Sequence, residues 1–170
     1  MNWDQYYLGI CKAVAKKSSC LSRQIGAIIV YDKSIIATGF NGPPRGVPHC
    51  GSERLIHDET LSDLLLNANV PISIRTTKCP RQALGYKSGE GLHLCIAGHA
   101  ERNALINAAR EGVAVKGCTM FMDCGIPCTP CLIEIINAGI AAIVVTGMDY
   151  YDTMSKFLIQ TSSLQVRIFT

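Results

Sequence analysis

Cys118-Thr119-Met120-Phe121-Met122-Asp123, then Pro127-Cys128-Thr129-Pro130-Cys131, then Ala141 to Thr146 read in order as a strand, the start of a helix, and a second strand. The first and last segments are apolar and rich in strand formers, while Cys128 to Ala138 carries apolar residues at helical spacing with Gly139 behind it as a stop. Two strands joined by a helix pair in parallel through a right-handed crossover. Upstream, His99-Ala100-Glu101 opens another amphipathic helix that runs to Glu111 and stops at Gly112. Helix, strand, helix, strand sets two helix starts side by side. Those starts carry one imidazole and two thiols.

Working outward, Trp3 to Lys17 places Tyr6, Tyr7, Ile10, Cys11 and Val14 at helical spacing, and Ser18-Ser19-Cys20 breaks the pattern. Ile25 to Tyr31 and Ile35 to Phe40 form a hairpin about Asp32-Lys33. Asn41-Gly42-Pro43-Pro44-Arg45-Gly46 ends regular structure, because proline lacks a backbone donor and glycine tolerates positive φ. A helix is predicted over Glu53 to Asn67, on Leu55, Ile56, Leu61, Leu64 and Leu65, and residues 70–97 have little periodicity. Met148 to Gln160 reads as a last helix and Leu164 to Phe169 as a last strand. The prediction is one α/β domain, 1–170, with a mixed sheet, helices on both faces, and a loop-rich insertion at about 47–98.

Composition narrows the classes. With 170 residues there is room for a sizeable core, and no apolar run approaches the roughly 20 residues of a membrane span. Met1-Asn2-Trp3-Asp4 lacks the basic flank and apolar stretch of a signal peptide, so a cytoplasmic protein, without a membrane partner, is expected. Nine cysteines, an odd number in a core-rich chain, argue for metal ligands and buried thiols over a disulfide scaffold. A net charge of +3 without a basic run gives little support to a nucleic-acid partner.

His99, Cys128 and Cys131 are the candidate ligands of a zinc ion. Cysteines three apart at the first turn of a helix share one end, where the helix dipole favours thiolate. Three protein ligands leave a fourth position open, the catalytic pattern of zinc, whereas four closed ligands are structural. Glu101, two residues past the histidine, is the candidate catalytic group. Zinc brings the pKa of a water it holds towards about 7. Glu101 can then carry a proton to a ring nitrogen of the substrate and a second to an amino group that leaves as ammonia.

The order His-x-Glu then Pro-Cys-x-x-Cys is the signature of zinc nucleobase deaminases. With Gln24-Ile25-Gly26-Ala27-Ile28-Ile29-Val30, Ala37 to Gly46, and His99-Ala100-Glu101-Arg102-Asn103-Ala104, the chain resembles the cytidine and deoxycytidylate deaminase superfamily over most of its length, and within it the members acting on dCMP. The Asn-Gly-x-Pro-Arg-Gly loop discriminates, and members acting on free cytidine tend to carry cysteine where His99 stands. The resemblance implies a three-layer α/β/α fold with a five-stranded sheet, hydrolysis of dCMP to dUMP for thymidylate synthesis, and a homo-oligomer, a hexamer. It further implies activation by dCTP with magnesium and inhibition by dTTP. It places Asn41 at the deoxyribose and Arg110 at a subunit contact. The stretch between Gly46 and Gly98 is similar only to some microbial and viral members, several of which hold a second, structural zinc there.

Cys20, Cys50, Cys79 and Cys95, with His49 and His93, are the candidates for such a second zinc, with buried or surface thiols as the alternative. Arg23 and Arg45 are candidates for a 5′-phosphate, and Tyr150 and Tyr151 for stacking on a base. Cys11, Cys118 and Cys124 lie in apolar patterns and are expected in the core. Two other functions stay open: a polynucleotide-editing deaminase acting on tRNA adenosine or single-stranded DNA cytosine, and a non-catalytic zinc-stabilised module.

Overall fold

The computed structural model describes residues 1–170. Its elements are α1 (Trp3–Ala15), β1 (Gly26–Tyr31), β2 (Ser34–Phe40), α2 (Ser52–His57), α3 (Glu59–Asn67), α4 (Ile72–Thr77), α5 (Pro80–Ala83), a 3₁₀ turn (Leu92–Leu94), α6 (Ala100–Arg110), β3 (Thr119–Met122), α7 (Thr129–Asn137), β4 (Ala142–Val145), α8 (Thr153–Thr161) and β5 (Gln165–Ile168). Contacts group them into two compact units, one of Met1–Ser18, Ile25–Asn41 and His99–Thr170, the other of Ser19–Gln24 and Gly42–Gly98.

The first unit holds the five-stranded mixed sheet, in the order β2-β1-β3-β4-β5. β1 is antiparallel to β2 and β3, with Ile28 opposite Thr38 and Phe121, and β3, β4 and β5 run parallel. Asp32 and Lys33 close the hairpin at φ 43° and 63°, as a two-residue turn with the strands' twist requires. Side chains alternate across the sheet. Ala27, Ile29, Met120, Met122, Ile143 and Val145 pack with Ala100, Ala104 and Ala108 of α6 and Leu132 and Ile135 of α7. The residues between them, Ile28, Val30, Phe121 and Val144, pack with Tyr7 and Cys11 of α1. Helices therefore cover both faces, the three-layer arrangement expected.

Two glycines set how closely the helices lie. A Cβ on Gly39 of β2 would stand 2.2 Å from the Ala104 nitrogen and 2.4 Å from the Ala100 oxygen of α6, and one on Gly26 would stand 2.1 Å from the Cys11 oxygen of α1. Either side of Gly39, the Asn103 and Asn107 amides donate to the carbonyls of Phe40 and Thr38, both at 2.7 Å. These bonds use backbone acceptors of an edge strand that would otherwise face solvent. The two ends of the chain are tied by Asp4, whose buried carboxylate accepts from Arg167 Nη2 at 2.9 Å and from the Thr170 amide at 2.9 Å.

The second unit departs from the sequence reading. The single helix predicted over Glu53 to Asn67 is two, because Asp58 leaves helical geometry (φ −121°, ψ 81°) and its carboxylate caps α3 by accepting from the Leu61 amide at 2.9 Å. Residues 70–97, expected to be loop-rich, contain α4, α5 and the 3₁₀ turn. These are too short to repeat an apolar face: α4 buries no residue and α5 only Pro80. The unit comprises Gly42–Gly98 together with Ser19–Gln24. Its core is Leu61, Leu65 and Val70, flanked by Leu55, Ile74, Ala83 and Leu84. No helix is long and apolar enough to cross a membrane.

Candidate active site

His99 is the N-cap of α6 and Cys128 the N-cap of α7, both in extended backbone geometry (ψ 155° and 159°), and neither side chain is spent on capping its helix. Cys131 lies one turn into α7. Pro130 occupies the second position of that helix, where its missing donor costs nothing. The three side chains converge: His99 Nδ1 is 3.4 Å from Cys128 Sγ and 3.3 Å from Cys131 Sγ. All three ligand atoms lie within 4.8 Å of one another. An ion about 2.0–2.1 Å from nitrogen and about 2.3 Å from sulfur would span such separations at close to a tetrahedral angle, so the residues fit zinc.

Their electrostatics point the same way. The Cys128 thiol is pulled down to about 4, chiefly by a hydrogen bond from Cys131 and, against burial, by His99. Cys131 is pushed far up by Cys128 and by burial. Two thiolates this close repel, so the second needs a cation beside it. The pKa of the His99 imidazole is raised, first by its bond to Cys128 and against burial. Glu101, at the second position of α6, is 4% exposed and acts on both His99 and Cys131 through its charge. A carboxylate withdrawn from solvent beside the three ligands suits proton transfer.

Two supports were not foreseen from the sequence. Arg102 makes a two-point bridge to Glu134, at 2.9 and 2.8 Å, joining α6 to α7 just behind the ligands. Asp152, the N-cap of α8, accepts from the Thr129 amide at 3.2 Å, from the Thr129 hydroxyl, from the Ser155 amide at 2.7 Å and from the Ser155 hydroxyl at 2.9 Å. Burial would raise its pKa, but these bonds, led by the Thr129 hydroxyl, hold it at about 2. The Asp-x-x-Ser spacing before an apolar run was the available signal.

Of the predicted substrate residues, Asn41 is buried and its side-chain oxygen accepts from the Ile25 amide at 2.8 Å, tying the end of β2 to the start of β1. Tyr151 is 44% exposed and adjoins Asp152 in the chain. Arg23 and Arg45 are exposed residues of the second unit. Cys11 and Cys118 are buried core thiols, as expected, and burial pushes Cys11 up to about 12.

Cys20, Cys50, Cys79 and Cys95 all fall in the second unit. Burial raises the Cys50 thiol, Arg54 lowers it, and Cys79 and Cys95 raise it further through their charge. They do not form a converged ligand set as His99, Cys128 and Cys131 do. His49 pairs with the Ser19 hydroxyl, and His93 meets the edge of Tyr86 with ring centres 6.3 Å apart.

A three-layer sandwich with an imidazole, two thiols and a buried glutamate at adjoining helix starts defines the class of zinc-site folds that includes the nucleobase deaminases. The chain belongs to the cytidine and deoxycytidylate deaminase family, whose zinc-binding region matches residues 1–147. It is 31% identical over 148 residues to the deoxycytidylate deaminase of Mycobacterium phage D29, covering 84% of this chain and 93% of that one. It is 30% identical to the deoxycytidylate deaminase of Schizosaccharomyces pombe over 98% of this chain, which spans only 44% of that relative. Among solved structures, the dCMP deaminase of cyanophage S-TIM5 in complex with dCMP and dUMP has the same fold, with a TM-score of 0.65 at 22% identity over 96% of this chain and 94% of that one.

Proposed function

We propose that the protein hydrolyses dCMP to dUMP and ammonia with a zinc ion held by His99, Cys128 and Cys131. The observation that carries this reading is the 3.3–3.4 Å convergence of His99 Nδ1 on two sulfurs, with Glu101 buried beside them. Zinc in that position would supply a nucleophilic hydroxide at neutral pH. Glu101 takes the proton released by the water and delivers it to the ring nitrogen beside the amine-bearing carbon, making that carbon electrophilic. Once the new carbon–oxygen bond has formed, Glu101 takes the remaining proton of that hydroxyl and passes it to the amino group. The carbon–nitrogen bond then breaks and ammonia leaves.

Asn41 contacts the deoxyribose, Tyr151 stacks on the base, and Arg23 meets the 5′-phosphate. The choice of dCMP is supported by the phage and yeast relatives named as deoxycytidylate deaminases. The finer reading includes a homo-hexamer, activation by dCTP with magnesium, inhibition by dTTP, and work in the cytoplasm, the host's if the source is viral. A second, structural zinc would be held by four of Cys20, Cys50, Cys79, Cys95, His49 and His93, for which their common place in the second unit is the support. A polynucleotide substrate finds no support in a net charge of +3.

The test is a panel of dCMP, dCTP, cytidine and a short oligonucleotide, with ammonia and the base absorbance followed, and with dCTP and dTTP then added as effectors. Turnover of dCMP above the others is expected. Deamination of the oligonucleotide alone overturns the substrate assignment, and a zinc-loaded protein that deaminates none of them overturns the activity.

A further inference from the structure

Helix α7 begins in an unusual way. Its first amides need acceptors, which an N-cap side chain ordinarily supplies. Here the N-cap is Cys128, whose sulfur lies beside His99 and leaves the first amide of the helix, that of Thr129, to another acceptor. The task passes to Asp152. One carboxylate oxygen takes the Thr129 amide, the first of α7, and the other takes the Ser155 amide of α8 together with the hydroxyls of Thr129 and Ser155. Ser155 is fully buried, and its hydroxyl also lies 3.1 Å from the Pro127 carbonyl, so its one proton is shared between that carbonyl and Asp152. The residues before and after Cys128 are thus both gripped from the start of α8.

Resting on the zinc reading above, we infer that Asp152, with Ser155 as its partner, is a positioning residue that holds the Pro127–Thr129 turn so that both thiolates present to the metal. A carboxylate suits the position because it only accepts, and every group facing it here donates. Asparagine keeps the shape but puts an NH₂ group against an amide or a hydroxyl, so one helix start loses its acceptor. Because Tyr151 adjoins Asp152, the same grip fixes the chain next to the residue proposed to stack on the base.

The experiment compares wild type with Asp152→Asn, Ser155→Ala and Thr129→Val after loading with Co²⁺. The ligand-field and thiolate-to-cobalt bands are recorded, and metal release to a chelator is followed for the phase that tracks loss of turnover. Groups that orient metal ligands typically affect metal affinity 10–100-fold. Release from Asp152→Asn should accelerate by about that factor with shifted cobalt bands, and Ser155→Ala and Thr129→Val should move the same way by less. Bands and release rates unchanged from wild type in Asp152→Asn overturn the inference. If that variant fails to fold, unchanged values in both other variants do so. A wild-type protein showing no thiolate-to-cobalt band overturns the metal reading itself, which separates the two failures.

Discussion

His99, Cys128 and Cys131 stand at the first turns of helices that lie against a five-stranded sheet, whereas Cys20, Cys50, Cys79 and Cys95 stand on short segments of a unit whose buried core is Leu61, Leu65 and Val70. Both regions offer zinc-type side chains, yet only the first draws its ligand atoms to within 4.8 Å of one another. The difference lies in what holds the backbone. Helix starts pinned by Gly39, Asn103, Asn107 and Asp152 leave the three side chains little to arrange for themselves. In the second region a metal would be part of what folds the segment, since binding free energy there is folding free energy.

Counting zinc and activity together tests that contrast most strongly. If the second zinc proposed above is held, elemental analysis gives two ions per chain. Cys131→Ala should lose one ion and all measurable turnover, while Cys79→Ser should lose one ion, keep turnover, and unfold at a lower temperature. A single ion in the wild type removes the second metal and leaves the insertion to its small apolar core.

Next in size, Glu101→Gln should lower kcat by roughly 10²–10⁴-fold with metal content unchanged, the range for a lost general acid–base. Rapid-quench or steady-state rates with elemental analysis check it. Equal activity would remove Glu101 from the chemistry.

The frame itself is probed by Gly39→Ala, whose methyl group meets the backbone of α6. Forcing it in should cost about 1–3 kcal/mol in urea unfolding, as overpacking generally does. It should also reduce kcat, because His99 and Glu101 ride on the displaced turn.

The smallest effect expected is at the chain ends. The hydrogen bond from Arg167 holds the Asp4 carboxyl at about 2, below its ordinary 3.8. Stabilisation from a depressed carboxyl is complete above its unfolded pKa and is lost as pH falls through its folded one. Arg167 is half exposed, which discounts the pair. Asp4→Asn should therefore cost about 1–2 kcal/mol at neutral pH, with the difference from wild type shrinking between about pH 4 and pH 2. Denaturant curves across that range check it.

The two regions also differ in how much of them the sequence discloses. Gly26 to Tyr31 and Thr119 to Met122 are buried on both faces and read as short apolar runs, Thr129 to Asn137 buries one helical face, and the motif residues fall where helices begin. Asp58 hides a break inside an apolar pattern that continues through it, because Leu55 and Leu61 serve one core from two helices. The last helix starts at Thr153, later than Met148, since the cap that stops it is the same Asp152 that serves α7. A bond to a distant helix leaves no mark in local periodicity. For the same reason Glu134 was unremarkable until folding brought it to Arg102.

Main chain rests on main chain where β2 passes beneath α6 at Gly39. Such a seat works as a machinist's datum face: the height of the working parts is referenced to atoms every residue shares, and not to side chains that drift. Under α6, the position that cannot drift is the one with no side chain to exchange.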